Sequence, residues 1–393
     1  MSICGYFLGG IKRVNRMNHI IRYRTSGIHY GNKHEQIITK MDYPISRCRG
    51  TISNKTISVL GYGPQGRSQA LNIRDNNLKV IIGVRKDGRS WENAKKDGWV
   101  PGIDLFEIDE AASRGKIVKY LLSDSGQIEQ WKNVKDNLNM GDTLYFSHGF
   151  GIHYYDYTNI NPPDDINVVM VSPKCSGNTV RRNFTNTNGF ASSYAVYKDF
   201  NGTAEETCLS LAFLIGNNYV FKTTFENEVV SDLTGERCVL MGLIQGAFMA
   251  QYKILREKGH SPCEAYHETI EEALQSLYPL INEKGMDWLY KNCSTTAQRG
   301  ALDWAPKFEE KITPLIEECY NSVKTETEVK RVIDCNSKPD YREELDKELD
   351  AIKRQEMWDV GRQIRQIKGE IESYNINNKH KTYRYNGVYY ENY

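Results

Sequence analysis

The 393-residue sequence lacks any uninterrupted run of about 18 apolar residues, and this absence predicts that no transmembrane helix is present. Its nine cysteines are scattered singly without a CxxC pair, so neither a disulfide framework nor a zinc cluster is expected, and a reducing compartment is favoured. The sequence also lacks an excess of one charge, since 51 basic residues face 50 acidic ones. We therefore expect neither nucleic acid nor a membrane surface as the main partner.

The charge balance hides an asymmetry. Residues 1–49 hold nine basic and two acidic residues, and residues 1–30 hold no acidic residue at all, so the rest of the chain is acidic. A basic leader without acids, here 1–29, is typical of an organellar transit peptide, but an untargeted flexible extension fits equally well. If the leader is a transit peptide, we expect a mitochondrial protein, with a plastid as the other option; otherwise we expect a cytoplasmic one.

The first half of the chain has the texture of an α/β domain. Hydrophobic residues make up 39% of the chain, enough for a sizeable core, and the length suggests two domains. Short apolar runs alternate with helix-length segments, which is typical of a parallel sheet with crossover helices. The predicted strands are 56–60, 79–84, 117–122, 143–146, 166–171 and 218–225.

After residue 226 the pattern becomes helical. Apolar residues recur every three or four positions, as expected for amphipathic helices over 229–255, 262–282 and 341–373. Residues 374–393 contain six tyrosines and five asparagines, and we predict a disordered or loosely attached tail. The predicted domains are therefore 30–225 (α/β, Rossmann-type), 226–373 (all-α) and the tail 374–393.

A glycine-rich loop follows the first predicted strand. It has the pattern GxGxxG and reads Gly61-Tyr62-Gly63-Pro64-Gln65-Gly66. The first two glycines allow a tight turn and close approach of a pyrophosphate, and the third lets the following helix pack on the strand. In this strand–turn–helix setting the loop predicts dinucleotide binding.

The residues after the second strand bear on the choice of dinucleotide. An NAD site usually has an acidic residue about 20 positions beyond the loop, where it binds the ribose 2′-hydroxyl. Here the strand ends in Arg85 and Lys86, followed by Arg89 and Ser90, and only Asp87 is acidic. Cations with a hydroxyl suit a 2′-phosphate, so NADPH is predicted.

Polar residues follow several of the predicted strands. Ligands of open parallel sheets bind outside the carboxyl ends of the strands. These ends carry Gly61, Arg85, the pair Ser123-Asp124, His148 and Lys174. We therefore expect His148 and Lys174 to lie near the nicotinamide half of the cofactor.

Two carboxylate pairs occur in the helical half. Asp232 and Glu236 are four residues apart, as are Glu268 and Glu272, so each pair lies on one face of its helix. Solvated helix faces carry such pairs often, but Asp232 and Glu236 lie in a segment that we expect to be buried. Two facing pairs would form an all-oxygen site suited to Mg²⁺.

The combination of motifs resembles the ketol-acid reductoisomerase (acetohydroxy-acid isomeroreductase) family, in its short form with one helical domain. The resemblance extends from about residue 30 to residue 373. It rests on VLGYGPQGRSQALNIRD, GVRKDGRSWENAKKDGWVPG, YLLSDSGQ, LYFSHGFGIH, VSPKCSG, TTFENEVVSDLTGERCVLMG, GHSPCEAYHETIEEALQSLYPL, CSTTAQRGALDW and SKPDYREEL.

The resemblance implies a Rossmann-type domain followed by a knotted all-α domain, with NADPH and two Mg²⁺ per site. His148 would be the catalytic histidine, Lys174 would match the lysine of the family's Pro-Lys-Gly segment, and Ser294 would contact substrate. The implied Mg²⁺ ligands are Asp232, Glu236, Glu268 and Glu272. The implied NADPH-binding residues are Tyr62, Gly63, Pro64, Gln65, Arg85, Ser90, Leu121, Leu122, Ser123, Asp124 and Gly177. Cys175 departs from the family, which usually has glycine there.

The resemblance also implies a reaction. Its substrates would be 2-acetolactate and 2-aceto-2-hydroxybutyrate, which undergo alkyl migration and then reduction to 2,3-dihydroxy acids in valine, isoleucine and leucine biosynthesis. A homodimer or an assembly of dimers is expected, with the two carboxylate pairs of one site coming from different subunits. The alternatives are a metal-free NADPH-dependent 2-hydroxy- or β-hydroxy-acid dehydrogenase and an NADPH-sensing regulator, and the four carboxylates count against both.

Overall fold

A computed structural model describes the backbone of residues 26–30, 32–378, 382–385 and 388–391, and the side chains of 32–373. Most of the predicted basic leader, residues 1–25, lies outside the described residues. The chain divides into two compact units. The first unit comprises the residues up to Lys119 with Asn139–Tyr145 and Asp165–Thr223, and the second comprises Tyr120–Leu138, Phe146–Asp164 and the residues from Thr224 onward.

The first unit is built on a mixed sheet. Among the described residues its ten strands are β1 (Ser26–Tyr30), β2 (Lys33–Thr39), β3 (Ile57–Leu60), β4 (Val80–Gly83), β5 (Leu105–Phe106), β6 (Ile117–Tyr120), β7 (Thr143–Phe146), β8 (Asn167–Pro173), β9 (Phe190–Lys198) and β10 (Asn217–Lys222). Their spatial order is β1-β2-β10-β9-β8-β7-β6-β3-β4-β5. The pairs β3–β4, β4–β5, β6–β7 and β9–β10 are parallel. The pairs β1–β2, β2–β10 and β8–β9 are antiparallel.

Along the chain, nine helices of the described residues lie between these strands. They are α1 (Ile45–Ile52), α2 (Pro64–Asp75), α3 (Arg89–Lys96), α4 (Ile108–Arg114), α5 (Asp124–Lys135), α6 (Phe150–His153), α7 (Tyr155–Thr158), α8 (Gly177–Thr185) and α9 (Ala204–Leu214). Of these helices, α5, α6 and α7 belong to the second unit. Each of β3, β4, β6 and β7 is buried at every position. The prediction of a Rossmann-type α/β domain is confirmed, but the expectation of an all-parallel sheet is wrong, because β1, β2, β8, β9 and β10 take part in antiparallel pairs.

The side chain of Lys119 is an exception within this apolar sheet. It is fully buried in β6, and its Nζ lies 3.9 Å from the centre of the Tyr145 ring. Among the described residues this Nζ has no hydrogen-bond partner. Burial lowers the pKa of Lys119 well below its usual value, because the charged amine loses its hydration.

Replacing Lys119 by methionine should therefore stabilise the fold by about 1–3 kcal/mol at pH 7. The unfolded chain binds a proton at this lysine that the folded chain does not. The stability of the wild type therefore rises with pH between the pKa of Lys119 in the folded chain and its pKa in the unfolded chain. The gain in Lys119→Met should accordingly shrink as the pH approaches about 10. Urea unfolding of both proteins at pH 7 and pH 9.5 measures this gain in stability. Lys79→Met is the control, because Lys79 is exposed. Equal stability of Lys119→Met and wild type at both pH values would contradict this account.

The second unit is mainly helical after residue 224. Its helices there are α10 (Phe225–Arg237), α11 (Gly242–Glu257), α12 (Pro262–Tyr266), α13 (Tyr278–Lys284), α14 (Met286–Asn292), α15 (Thr295–Lys324), α16 (Thr327–Asn336), α17 (Tyr341–Lys353) and α18 (Glu356–Asn378). One apolar core joins Phe150 and Tyr154 to α10 residues such as Val229 and to Val323 and Val329. A second core joins Phe248, Tyr266 and Met357. The all-α prediction is confirmed, and the knot stays a prediction.

Two predicted helices are each divided in two. The pattern at 229–255 is interrupted between α10 and α11, where the helix-weakening residues Gly235 and Gly242 flank the break. The pattern at 341–373 is divided between α17 and α18. Of the apolar residues expected to pack there, Leu349, Ile367 and Ile371 are exposed.

The expectation about membrane helices also needs correction. By length and composition alone, Phe225–Glu257 is long and apolar enough to cross a membrane. The sequence test missed it because charged residues interrupt the apolar run. The stretch is two helices, and α11 has 16 residues, short of the roughly 20 that a membrane span needs. The core helices of water-soluble proteins meet the same criterion of length and composition, although only 11% of the apolar window is buried here.

The helix that contains Glu268 and Glu272 is irregular. Between α12 and α13 it has two π-helical turns, His267–Glu271 and Ala273–Leu277. Such turns insert a residue into the helix and occur frequently at functional sites.

The tail differs from its prediction. Helix α18 continues to Asn378, and two short strands, β11 (Thr382–Tyr385) and β12 (Val388–Glu391), pair in antiparallel fashion. The remaining residues of the predicted tail, 379–381, 386–387 and 392–393, lie outside the described residues.

Candidate active site

The glycine-rich loop has the predicted strand–turn–helix geometry. Gly61 follows β3 with a φ of +100°, a conformation that favours glycine, and its N–H donates to the Gly83 carbonyl at 2.9 Å. Gly63 immediately precedes α2, and a Cβ added there would meet no atom within 4 Å. This open space beside a helix N-terminus fits a phosphate group.

A second helix begins beside the same loop. A Cβ on Gly177, the first residue of α8, would overlap the Pro64 carbonyl carbon and lie 2.6 Å from the Gln65 nitrogen. The N-termini of α2 and α8 are therefore in close contact, and both direct partial positive charge to one place. This close approach, possible only with glycine at 177, forms a cradle that fits the diphosphate of a dinucleotide.

Cys175 takes part in this cradle through its backbone. Gln65 Nε2 donates to the Cys175 carbonyl at 3.2 Å, and Gln69 Nε2 donates to Gln65 Oε1 at 3.0 Å. Cys175 is not among the residues with positive φ. A side chain at this position therefore causes no backbone strain, although the resembling family usually has glycine here.

Replacing Gly177 by alanine should weaken dinucleotide binding. The added methyl would force α8 away from α2, and overpacking of this kind costs about 1–3 kcal/mol, equivalent to roughly a tenfold rise in the dissociation constant. NADPH fluorescence titration measures the effect. Gly50→Ala is the matched control, because a Cβ at Gly50 meets nothing within 4 Å. Unchanged affinity in Gly177→Ala would contradict a binding role for the cradle.

The predicted 2′-phosphate residues follow β4. Arg85, Lys86 and Asp87 are exposed, and Ser90 is half-buried in the first turn of α3. Asp87 has a φ of +58°, at the turn between Arg85 and α3. The loop therefore presents two cations to solvent.

His148 is the centre of a charged cluster in the second unit. Its Nδ1 lies 3.0 Å from Glu228 Oε2 and 3.5 Å from Asp232 Oδ2. Glu228 Oε2 also accepts a hydrogen bond from the Gly149 N–H at 2.8 Å. Ligand atoms of His148, Glu228 and Asp232 all lie within 4.8 Å of one another, close enough to share a cation.

The electrostatics of this cluster raise several pKa values. Burial lowers the pKa of His148, but the hydrogen bond and charge of Glu228, with the charges of Asp124 and Asp232, raise it to about 9. His148 is therefore protonated at neutral pH in the absence of other cations. Burial raises the pKa of Glu236, and the neighbouring Asp232 carboxylate raises it further.

Asp124 belongs to the same cluster. Burial raises its pKa, and the charge of His148 lowers it. Four carboxylates thus crowd around one imidazole: Asp124, Glu228, Asp232 and Glu236. A divalent cation would relieve this repulsion, so the donor set fits Mg²⁺.

The structure brings together only part of the predicted metal site. Asp232 and Glu236 lie on one face of α10, and both are half-buried, while nearby Val239, Leu240 and Met241 are exposed rather than buried. Glu268, Glu272 and Ser294 are exposed and lie outside the group formed by His148, Glu228 and Asp232. Ser294 caps α15, where its Oγ accepts from the Ala297 N–H at 3.2 Å.

The remaining predicted residues lie at strand ends. Leu121 and Leu122 follow β6, and Ser123 caps α5 by accepting from the Gly126 N–H. Lys174 follows β8, and its Nζ donates to Ser172 Oγ at 3.3 Å.

Sequence reasoning missed Glu228. Its side chain is fully buried, and it bonds both His148 and the adjacent Gly149. A signal was present, because Glu228, Asp232 and Glu236 repeat every four residues along α10. The four-residue spacing that identified Asp232 and Glu236 extends one turn further towards the N-terminus of α10, to Glu228.

A dinucleotide cradle on a Rossmann-type sheet and a carboxylate–histidine centre define an oxidoreductase that binds NAD(P). Residues 51–220 match the family described as "Acetohydroxy acid isomeroreductase, NADPH-binding domain", and residues 225–369 match "Ketol-acid reductoisomerase, C-terminal domain". The chain therefore belongs to the ketol-acid reductoisomerase family.

Individual relatives agree. The chain is 52% identical to "Ketol-acid reductoisomerase (NAD(+))" of Desulfosudis oleivorans, over 87% of this chain and 97% of that protein. It is also 52% identical to "Ketol-acid reductoisomerase, mitochondrial" of Saccharomyces cerevisiae, over 87% of each chain. Among solved structures, an NADH-preferring ketol-acid reductoisomerase from an uncultured archean matches with a TM-score of 0.74 and 29% identity, covering 84% of this chain and 98% of that one.

Proposed function

We propose that this chain converts 2-acetolactate and 2-aceto-2-hydroxybutyrate into 2,3-dihydroxy acids by Mg²⁺-dependent alkyl migration followed by reduction with NADPH. The observation that carries this proposal is the His148–Glu228–Asp232 cluster, because it combines an acid–base group with oxygen ligands for a cation. The reaction belongs to the synthesis of valine, isoleucine and leucine, and homologues with this family name support that role.

When bound, Mg²⁺ supplies polarisation of the substrate's hydroxyl and ketone oxygens, and NADPH supplies the hydride. Asp232 and Glu236 would hold the metal, together with Glu268 and Glu272. Glu228 accepts from Nδ1 of the protonated His148 ring, which orients the ring and leaves the Nε2 proton to be given to a substrate oxygen. Gly149 fixes the Glu228 carboxylate by its N–H. Lys174 would add a further hydrogen-bond donor towards the substrate.

The test is oxidation of NADPH with 2-acetolactate in the presence of Mg²⁺ and, separately, of EDTA. Turnover with Mg²⁺ and its loss in EDTA are expected. Equal turnover in EDTA would favour the metal-free hydroxy-acid dehydrogenase instead. A protein that binds NADPH but converts 2-acetolactate neither with Mg²⁺ nor in EDTA would favour a sensing role.

We infer that NADPH is preferred to NADH. The support is the pair of exposed cations, Arg85 and Lys86, with Ser90 nearby, where NAD-binding sites usually have an acidic residue. Relatives bear names of both kinds, NAD(+) and NADP(+). The ratio of kcat/KM for NADPH and NADH tests the preference, and a ratio below one would contradict it.

We further propose that two copies of the chain form the active unit. Helices α11 and α15 border an apolar groove of about 880 Å³, lined by residues including Leu243, Ile254, Phe308 and Leu315. An apolar groove open to solvent, with exposed residues such as Ile254, Phe308 and Leu315, is typical of an interaction surface. A second copy seated there would bring its own Glu268, Glu272 and Ser294 to complete the site.

The substitution Leu315→Glu should therefore give a monomer that binds NADPH but lacks turnover, because a buried charge would oppose association. Sedimentation velocity measures the change. Met41→Glu is the control, since Met41 is 83% exposed and lies in the first unit. A wild type that is monomeric and active would contradict the proposed dimer.

We propose that the protein is imported into mitochondria. The acid-free basic leader and the mitochondrial relatives from fungi support this. Residues 1–29 fused to a fluorescent protein should direct it to mitochondria. A diffuse cytoplasmic signal, or a plastid signal in a cell that has plastids, would contradict the proposal.

A further inference from the structure

A buried hydrogen-bond network holds Tyr62, the second residue of the glycine-rich loop. The Tyr62 hydroxyl donates to Asp97 Oδ2 at 2.8 Å and accepts from Trp99 Nε1 at 2.7 Å. Tyr62 and Trp99 are both buried. The Tyr62 side chain therefore points into the protein and makes its polar contacts with Asp97 and Trp99.

Two arginines of α2 complete the network. Arg67 Nε and an Arg67 terminal nitrogen donate to the two Asp97 carboxylate oxygens, at 2.6 and 2.8 Å. Arg74 donates to the Asp97 carbonyl at 3.0 Å, and its guanidinium lies 4.3 Å from the centre of the Trp99 ring. Bidentate pairs of this kind are among the strongest and most directional polar contacts in proteins.

The network joins two parts of the predicted cofactor site. Tyr62 belongs to the loop that would bind the diphosphate, and Asp97 directly follows the last residue of α3. The other end of α3 carries Arg89 and Ser90 and follows the Arg85–Lys86 turn. The Tyr62–Asp97 bond therefore fixes α3, and with it the 2′-phosphate residues, relative to the glycine-rich loop.

We infer that Tyr62 and Asp97 are positioning residues that set the preference for NADPH over NADH. This inference rests on the proposed function. Both dinucleotides share the diphosphate, but only NADPH has a 2′-phosphate to be placed against the first turn of α3. A displaced α3 therefore weakens NADPH binding and leaves NADH binding nearly unchanged.

The test is fluorescence titration of full-length Tyr62→Phe and Asp97→Asn with NADPH and with NADH, without substrate. Loss of a buried hydrogen bond should raise the dissociation constant for NADPH about five- to tenfold, and that for NADH by less than about twofold. Because both residues belong to one network, the effect of the double variant should be smaller than the sum of the two single effects. Asp97→Asn keeps the shape of the side chain but removes its charge and one of the two acceptor oxygens, so it weakens the same network from its other end and guards against a folding defect in Tyr62→Phe.

Tyr43→Phe is the matched control. Tyr43 is as buried as Tyr62, and its hydroxyl donates to the Glu206 carbonyl at 3.2 Å, so it should leave both dissociation constants unchanged. If Tyr62→Phe and Asp97→Asn keep the wild-type ratio of the two constants, the inference is overturned, whether both constants stay the same or rise together. A wild type that binds neither dinucleotide would instead refute the proposed function.

Discussion

Replacing Glu236 by glutamine is expected to reduce the conversion of 2-acetolactate on the order of 10²–10³-fold, while a 2-keto acid offered directly is still reduced. Glu236 is half-buried beside Asp232, and burial raises its pKa, which the Asp232 carboxylate raises further. The neutral amide keeps the shape of the side chain but removes one charge that would hold Mg²⁺. Alkyl migration needs that cation more than simple reduction does. Rates with both substrates, and Mg²⁺ binding by calorimetry, measure the effect.

Glu226→Gln is the matched control for this variant. Glu226 lies on the same helix, but it is exposed and forms an ion pair with Lys324 at 2.7 Å. An exposed pair contributes little, so rates and Mg²⁺ binding should stay near those of the wild type. Normal conversion of 2-acetolactate by Glu236→Gln would refute the assignment of Glu236 as a metal ligand.

Replacing Glu228 by glutamine is expected to lower kcat about 10²–10⁴-fold. The amide oxygen of glutamine can still accept from His148 Nδ1 and from the Gly149 N–H, but the amide carries no charge to stabilise the protonated ring. At neutral pH the ring would then hold one proton fewer, and it would have no proton on Nε2 to give to the substrate. The pKa of His148 should also fall from about 9, because burial, which lowers it, is no longer offset by the Glu228 charge.

Two measurements separate this role from a merely structural one. NMR titration of His148 in Mg²⁺-free protein should show the lower pKa, and a rise in KM should be small compared with the fall in kcat. Glu228→Asp, which keeps the charge, should recover part of kcat. If Glu228→Gln retains both the wild-type kcat and a His148 pKa near 9, Glu228 does not orient the histidine.

Much of the fold and the nucleotide loop could be predicted because the relevant signals are local. Strands β3, β4, β6 and β7 are buried throughout and therefore read as mainly apolar runs, broken only by Ser58, Lys119 and Thr143. Strands β1, β2, β5 and β9 were missed. Residues 33–36 of β2 are polar or exposed, and β9 contains Ser192 and Ser193, which are buried without an apolar signal.

The candidate site was predicted only in part for a different reason. Asp232 and Glu236 share one helix, so their spacing revealed them, whereas the bond between His148 and Glu228 joins residues 80 positions apart. Spacing along the chain contains no information on such a contact. The exposure of Glu268 and Glu272 could not be read from their spacing either, since it depends on how the helices pack.

The most direct test of the central claim is the identity of the product formed from 2-acetolactate, Mg²⁺ and NADPH, determined by proton NMR. Alkyl migration followed by reduction places both methyl groups on C3, and we predict 2,3-dihydroxy-3-methylbutanoate, with its formation abolished in EDTA. Reduction without migration would leave one methyl group on C2. Finding 2,3-dihydroxy-2-methylbutanoate as the product would contradict the account.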